Sequence, residues 1–271
     1  MSRMQSLTGP LQQKLGDRWM PLALAALACA AAILALTLVF SNPSPSAGTY
    51  RIGVLLLDRW TTIFPYPFTI QNLEHMIFAV ALGELWVRWK TANRELAFVG
   101  EKYLPEEDHV VLQAEDLGAI RRRVVGRFDG ENGFLPSLID LCVLQFMASR
   151  STDQAVSVLN SSLELISHRV DLRYQLTRYF AWLIPTIGFI GTVVGIAATL
   201  GIVSGGKIDL GVLASTLSVA FDTTVVALVE SAILVLGMSV VQGREERAVN
   251  LAGQYVLRNL INRLYAGKPA A

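Results

Sequence analysis

The chain has 271 residues, of which 52% are apolar and only 17% are charged. A soluble domain usually carries about 25% charged residues, and a disordered chain is more polar still. The net charge of +1 disfavours a nucleic-acid binder. The two cysteines, Cys29 and Cys142, are too few for a disulfide framework and lack a metal-type spacing. This composition predicts a membrane protein with a substantial soluble part.

A helix needs about 20 apolar residues to cross a bilayer. Four segments meet or approach that length: residues 19–40, 68–87, 178–203 and 210–241. The first exceeds the roughly 7–15 residues of a signal-peptide core, so we expect a retained anchor rather than a cleaved signal. The second is the weakest, because it contains Glu74, His75 and Glu84. We expect four spans, and the alternative is three spans, without the second segment.

The distribution of basic residues predicts the orientation. With four spans and a cytosolic N-terminus, 20 of the 23 basic residues face the cytosol, and with three spans the number is 19. Charge therefore does not separate the two layouts. The sequence Trp86-Val87-Arg88-Trp89-Lys90 favours four spans, because aromatic and basic anchors are typical of a cytosolic interface.

The predicted fold is an all-α integral membrane protein whose long helices extend into a cytosolic helical domain. Proline is absent from Thr152 to Ile184 and from the last span to about Leu264, which favours such long helices. Outside the spans, the expected regions are a cytosolic N-terminus (1–18), a periplasmic loop (41–67), a cytosolic helical domain (88–177), a short periplasmic loop (204–209) and a cytosolic helical tail (242–271).

The third span carries a face of small and weakly polar residues. At helical spacing this face comprises Pro185, Gly188, Thr192, Gly195 and Thr199. Gly191 and Gly195 add a spacing that lets two helix backbones approach closely. On periodicity alone, tight packing with hydroxyls bonded back to carbonyls is an alternative to an ion pathway.

The fourth span carries a matching stripe and two acids. Its stripe comprises Thr216, Ala220, Thr223, Ala227 and Glu230, with Thr224 at its border. Asp222 lies roughly 200° around the helix from Thr224 at 100° per residue. A carboxylate near mid-bilayer costs about 2.5–3.5 kcal/mol, so both acids need a partner or a wet cavity. Apart from Arg178 at the edge of the third span, no Lys or Arg lies inside a predicted span, which leaves hydroxyls, His75, a protonated state or a second polypeptide.

These two spans resemble the MotA/TolQ/ExbB ion-channel family. The resemblance is carried by Pro185, Gly188, Gly191, Thr192, Val193 and Gly195, followed by Ala220, Phe221, Thr224, Ala227 and Leu228. The resemblance implies that Pro185, Thr192 and Thr224 stand at the family's pore-facing proline and pore threonines. This sequence departs from the family at three places. Val219 stands where a glutamate is frequent, and Ala227 stands where glycine is usual. Glu230-Ser231-Ala232 stands where the family commonly has Ala-Ile-Pro.

The resemblance further implies a homopentamer in the bacterial inner membrane around two copies of a single-span partner like MotB, TolR or ExbD. That partner would bring an ionisable Asp into the pore, and the flow of H⁺ or Na⁺ would drive a motor or an energy-transducing complex. Four spans favour the flagellar-stator, gliding or defence branches, and three spans favour the TolQ/ExbB branch.

The candidate site follows from the stripes and the resemblance together. Its ion-pathway residues are Pro185, Thr192, Thr199, Asp222, Thr223, Thr224 and Glu230, and its helix-packing residues are Gly188, Gly191 and Gly195. We expect no cofactor besides the transported ion, no metal and no enzymatic activity, since His75 has no companion His or Cys at a metal spacing. A non-conducting membrane scaffold or assembly subunit is the alternative function.

Overall fold

The computed structural model describes residues 2–40, 48–59, 64–107, 109–129, 132–204 and 210–265. These residues form eight α-helices and no strand, which confirms the predicted all-α class. The helices are α1 (Ser2–Val39), α2 (Gly48–Leu57), α3 (Ile70–Gly100), α4 (Ala114–Val124), α5 (Phe134–Ser149), α6 (Thr152–Arg173), α7 (Gln175–Ser204) and α8 (Leu210–Asn259). A short 3₁₀ turn, Ile261–Arg263, follows α8.

Three stretches of helix are long and apolar enough to cross a membrane: Trp19–Val39, Thr152–Gly201 and Leu210–Arg263. They contain the first, third and fourth predicted spans. The second predicted span lies in α3, which is not among the three, so the four-span layout stays a prediction. Residues 41–47 and 60–63 of the first predicted outer loop and residues 205–209 of the second lie outside the described residues, while α2 forms a helix within the first loop.

The chain divides into two compact units. The first comprises Met1–Val87 and Leu176–Met238, and the second comprises Arg88–Gln175 and Ser239–Ala271. The first unit therefore holds the described parts of α1 and α2, the beginning of α3, most of α7 and the first part of α8.

Within the first unit, α7 and α8 pack backbone against backbone. A Cβ atom added at each of three glycines of α7 would come within 3.0 Å of an α8 side chain, a distance that real Cβ atoms essentially never show. The contacts pair Gly188 with Ala227, Gly191 with Thr223 and Gly195 with Ala220. Because residue numbers rise along α7 as they fall along α8, the two helices are antiparallel.

The second unit has a conventional apolar core around α5. The side chains of Leu138, Ile139, Val143 and Phe146 are fully buried there. Directly before α5, Gly133 has φ +84°, and a Cβ at this position would collide with Phe128. The glycine is therefore required by the turn that starts the helix.

Two buried glutamates of the second unit, Glu95 and Glu245, each have defined hydrogen-bond partners. Glu95 accepts the backbone N–H groups of Gly133 and Phe134 at 2.7 and 2.8 Å, and so caps the beginning of α5. Burial raises the pKa of Glu95, and these two donors offset part of that rise. Glu245 accepts from Arg173 at 2.6 Å and from the Tyr174 hydroxyl at 2.8 Å.

The helix contact at Gly195 is tested by Gly195→Ala. The added methyl would meet the Ala220 side chain, so we expect a loss of about 1–3 kcal/mol from overpacking, measured as a lower Tm of the purified chain in detergent. Gly201→Ala, on the same helix, is the matched control, because a Cβ there has no atom within 4 Å. Equal Tm values for the two variants would contradict the close approach of α7 and α8.

Candidate functional site

The carbonyl oxygen of Gly188 is the centre of a cluster of threonine hydroxyls between α7 and α8. The hydroxyls of Thr224, Thr223 and Thr192 lie 3.0, 3.1 and 3.3 Å from it. The Thr192 and Thr223 hydroxyls also lie 2.8 Å from the Ala220 carbonyl oxygen. The Thr192 and Thr224 hydroxyls contact each other directly. We call this group the hydroxyl cluster.

The hydroxyl cluster has more possible hydrogen bonds than protons to make them. Each threonine hydroxyl donates one hydrogen and accepts two, and a carbonyl oxygen accepts two. Three hydroxyl protons are therefore distributed over two carbonyl oxygens and the neighbouring hydroxyl oxygens. Thr223 is buried, whereas Thr192 and Thr224 are half-buried. Such a set of oxygens suits a proton relay or the coordination of a hard cation.

Pro185 removes one backbone hydrogen bond from α7, about one turn before Gly188. A proline has no N–H, so it leaves the carbonyl four residues earlier, that of Ala181, without its helical donor. Ser231 of α8 supplies the missing donor, because its hydroxyl donates to the Ala181 carbonyl at 2.8 Å. Thus Ser231, which stands where the resembling family commonly has another residue, satisfies the carbonyl that Pro185 frees.

The remaining predicted pathway residues lie apart from the hydroxyl cluster. Thr199 is buried and donates to the Gly195 carbonyl of its own helix at 2.8 Å. Asp222 is buried, and its carboxylate accepts hydrogen bonds from two guanidinium nitrogens of Arg51, at 2.6 and 2.8 Å. Arg51 belongs to α2, so this bidentate pair ties α2 to α8.

The second acid of α8, Glu230, is paired with His75 of α3. Its Oε1 lies 2.5 Å from His75 Nδ1, and His75 Nε2 lies 2.7 Å from the Leu56 carbonyl oxygen. His75 was one of the partners considered from the sequence. Glu74, the neighbour of His75, is fully buried, and its Oε1 lies 3.2 Å from the position of a Cβ at Gly188.

Sequence reasoning missed Arg51 as the partner of Asp222. A counter-charge is expected inside the spans, where the acids lie, whereas Arg51 lies in the segment between the first two spans. A usable signal was present: Arg51 comes three residues before the apolar run Val54-Leu55-Leu56-Leu57, so it stands at the beginning of a segment that can pack against apolar helices.

Comparison with protein-family models identifies one match. The model of the MotA/TolQ/ExbB proton channel family matches residues 135–253. This range includes α7, the hydroxyl cluster and most of α8. The comparisons with curated proteins and with solved structures give no match. The family match confirms the resemblance inferred from the two spans.

The Arg51–Asp222 pair is tested by a double-mutant cycle with Arg51→Gln and Asp222→Asn. Asp222 is buried while the Arg51 side chain is 56% exposed, so solvent screening reduces the interaction, and we expect a coupling of about 1 kcal/mol. The cycle is measured by chemical or thermal unfolding of the purified chain in lipid nanodiscs. Strictly additive effects of the two substitutions would contradict the pairing.

Proposed function

Residues 135–253 of this chain carry the domain of the MotA/TolQ/ExbB proton channel family, and from this premise we propose that the protein is a pore-forming subunit of an ion-driven motor or energy-transducing complex. Members of that family are channel or transducer subunits rather than enzymes. The three long apolar helices support a location in a membrane. We place the chain in the bacterial inner membrane, where an ion-motive force is available.

The observation that carries this proposal is the contact between the Thr192 and Thr224 hydroxyls. These are the two threonines that the resemblance places in the family's pore. Their contact at the Gly188 carbonyl provides closely spaced oxygens that an ion can bind between two apolar helices. Thr192 and Thr224 then pass H⁺, or Na⁺, from one oxygen to the next.

The proposed complex contains five copies of this chain around two copies of a single-span partner. In this arrangement the partner brings an Asp next to the hydroxyl cluster. Pro185 shapes α7 beside that Asp, because the missing N–H and the Ser231 hydrogen bond replace regular helix geometry there. Ion flow would turn one part of the complex against the other.

Ion conduction is tested with Thr192→Val and Thr224→Val. Valine keeps the shape and removes the hydroxyl, so each variant should lose about tenfold or more in flux, which is the loss expected from one hydrogen bond of about 1.4 kcal/mol. The complex is purified from its host membranes through a tag on this chain and reconstituted in proteoliposomes. A pH-sensitive dye and a Na⁺-sensitive dye then report the flux.

Two matched variants make this test specific. Thr186→Val removes a hydroxyl of the same helix that donates only to Trp182 at 2.9 Å, and should leave the flux unchanged. Thr192→Ser retains the hydroxyl and should retain most of the flux. If Thr192→Val and Thr224→Val both conduct at the wild-type rate in an intact complex, the hydroxyl cluster is only a packing contact. Full biological activity without any flux would favour the scaffold function.

A further inference from the structure

A second polar group lies behind the hydroxyl cluster, on the face of α3 that meets α8. Glu74 and His75 belong to α3, and Glu230 belongs to α8. Glu230 stands on the same helical stripe as Thr223 and Ala227. Both Thr223 and Ala227 lie against Gly188, and Glu74 reaches the same glycine. The proposed conduction mechanism does not use Glu74, His75 or Glu230.

The hydrogen bonds of His75 determine how many protons the His75–Glu230 pair holds. The Leu56 carbonyl can only accept, so His75 Nε2 carries a hydrogen and donates to it at 2.7 Å. One further proton lies between His75 Nδ1 and Glu230 Oε1, which are 2.5 Å apart. If that proton is on nitrogen, the pair is imidazolium and carboxylate; if it is on oxygen, the pair is imidazole and carboxylic acid. The net charge of the pair is zero in both forms.

Glu74 has no comparable partner. It is fully buried, and neither of its carboxylate oxygens has a hydrogen-bond partner in the part of the chain that the structure describes. The same holds for Glu230 Oε2. An ionised carboxylate in such a place would lose its hydration without a hydrogen bond to compensate for the loss.

We propose that Glu74, His75 and Glu230 form a proton-binding site within each chain, in which Glu74 is a neutral carboxylic acid at neutral pH. One proton is shared by His75 and Glu230, and a second binds the Glu74 carboxylate and changes its charge from −1 to 0. The three side chains together then carry no net charge. This site is additional to the partner's Asp and goes beyond the proposed function.

The donor set fits a proton better than a metal ion. Both ring nitrogens of His75 are already in hydrogen bonds, so neither is free to bind a metal. Among the described residues, no group of three or more His, Cys, Asp or Glu side chains is arranged to hold a metal ion.

The surrounding elements leave the charge of the site unbalanced unless Glu74 is protonated. Arg51 of α2 is engaged with Asp222 of α8 in a bidentate pair. From α7 the contact is the backbone of Gly188. The other titratable groups in the described segments between residues 19 and 87 are Cys29, Tyr50, Asp58, Arg59, Tyr66 and Glu84. Cys29 donates to the His75 carbonyl at 3.4 Å, and Arg59 donates to the Phe40 carbonyl at 3.0 Å.

An apolar groove lies beside the site. It has a volume of about 610 Å³, runs between α1 and α3, and reaches His75 and Glu230. Most of its lining is apolar, including Ala25, Ala28 and Phe78. The His75 and Glu230 side chains are 19% and 10% exposed, whereas Glu74 is fully buried. Glu74 is therefore the member of the site that is most completely removed from solvent.

The site is tested by infrared spectroscopy of the full-length chain in lipid nanodiscs. At pH 7 the wild-type chain should show the C=O stretch of a protonated carboxyl group, and this band should lose intensity in Glu74→Gln. The control is Glu246→Gln, which replaces an exposed glutamate of α8 and should leave the band unchanged. Absence of the band in the wild-type chain, or an unchanged band in Glu74→Gln, would overturn the proposal.

Thermal unfolding of the same samples gives a second readout. Glutamine resembles a neutral carboxylic acid, so Glu74→Gln should match the wild-type Tm at about pH 4, where a glutamate of the unfolded chain is largely protonated as well. From about pH 5 upward the wild-type Tm should fall relative to that of the variant, because the unfolded wild-type chain releases the Glu74 proton while the folded chain keeps it. Parallel pH profiles would contradict the proposal. Neither readout depends on ion flux, so a failure here is distinct from a failure of the proposed conduction.

Discussion

The close approach of α7 and α8 is the constraint on which the rest of the first unit depends. Gly188, Gly191 and Gly195 bring the backbone of α7 against side chains of α8, and only this distance lets Thr192 touch Thr224 and lets three hydroxyls share the Gly188 carbonyl. The same antiparallel register places Ser231 at the carbonyl that Pro185 leaves open. Packing and the proposed ion chemistry therefore have one structural cause, and a side chain at any of these glycines would disturb both.

The acids of α8 show two solutions to the cost of burying a carboxylate. Asp222 is neutralised by a guanidinium that α2 supplies, whereas Glu230 shares a proton with His75 of α3. In each case a hydrogen-bonded pair of ionisable side chains connects a neighbouring helix to α8, in addition to apolar contacts. Breaking such a pair leaves a buried charge, which costs more than the pair itself contributes. The helices around the hydroxyl cluster are thus held together by hydrogen bonds between charged side chains as well as by packing.

The sequence predicts the helices and the threonine pair but not the contacts between elements. The length of an apolar segment is sufficient to predict the first, third and fourth spans, because crossing a membrane requires a helix of a minimum length. The order of residues is sufficient to single out Thr192 and Thr224 as a pair, since the family motif fixes their spacing. Arg51 was missed because helical periodicity relates residues within one helix and gives no information on α2 against α8. The match of Ser231 to the Ala181 carbonyl likewise requires the register of two antiparallel helices.

We propose that several copies of this chain form a pore around a single-span partner, and native mass spectrometry can weigh that complex after its release from the host membranes in detergent micelles. The expected mass is that of five copies of the 29.6 kDa chain plus two copies of one smaller protein, whose sequence contains a single apolar span with an Asp in it. A complex that contains only this chain, or one with a different number of copies and no such partner, would rule out the proposed pore.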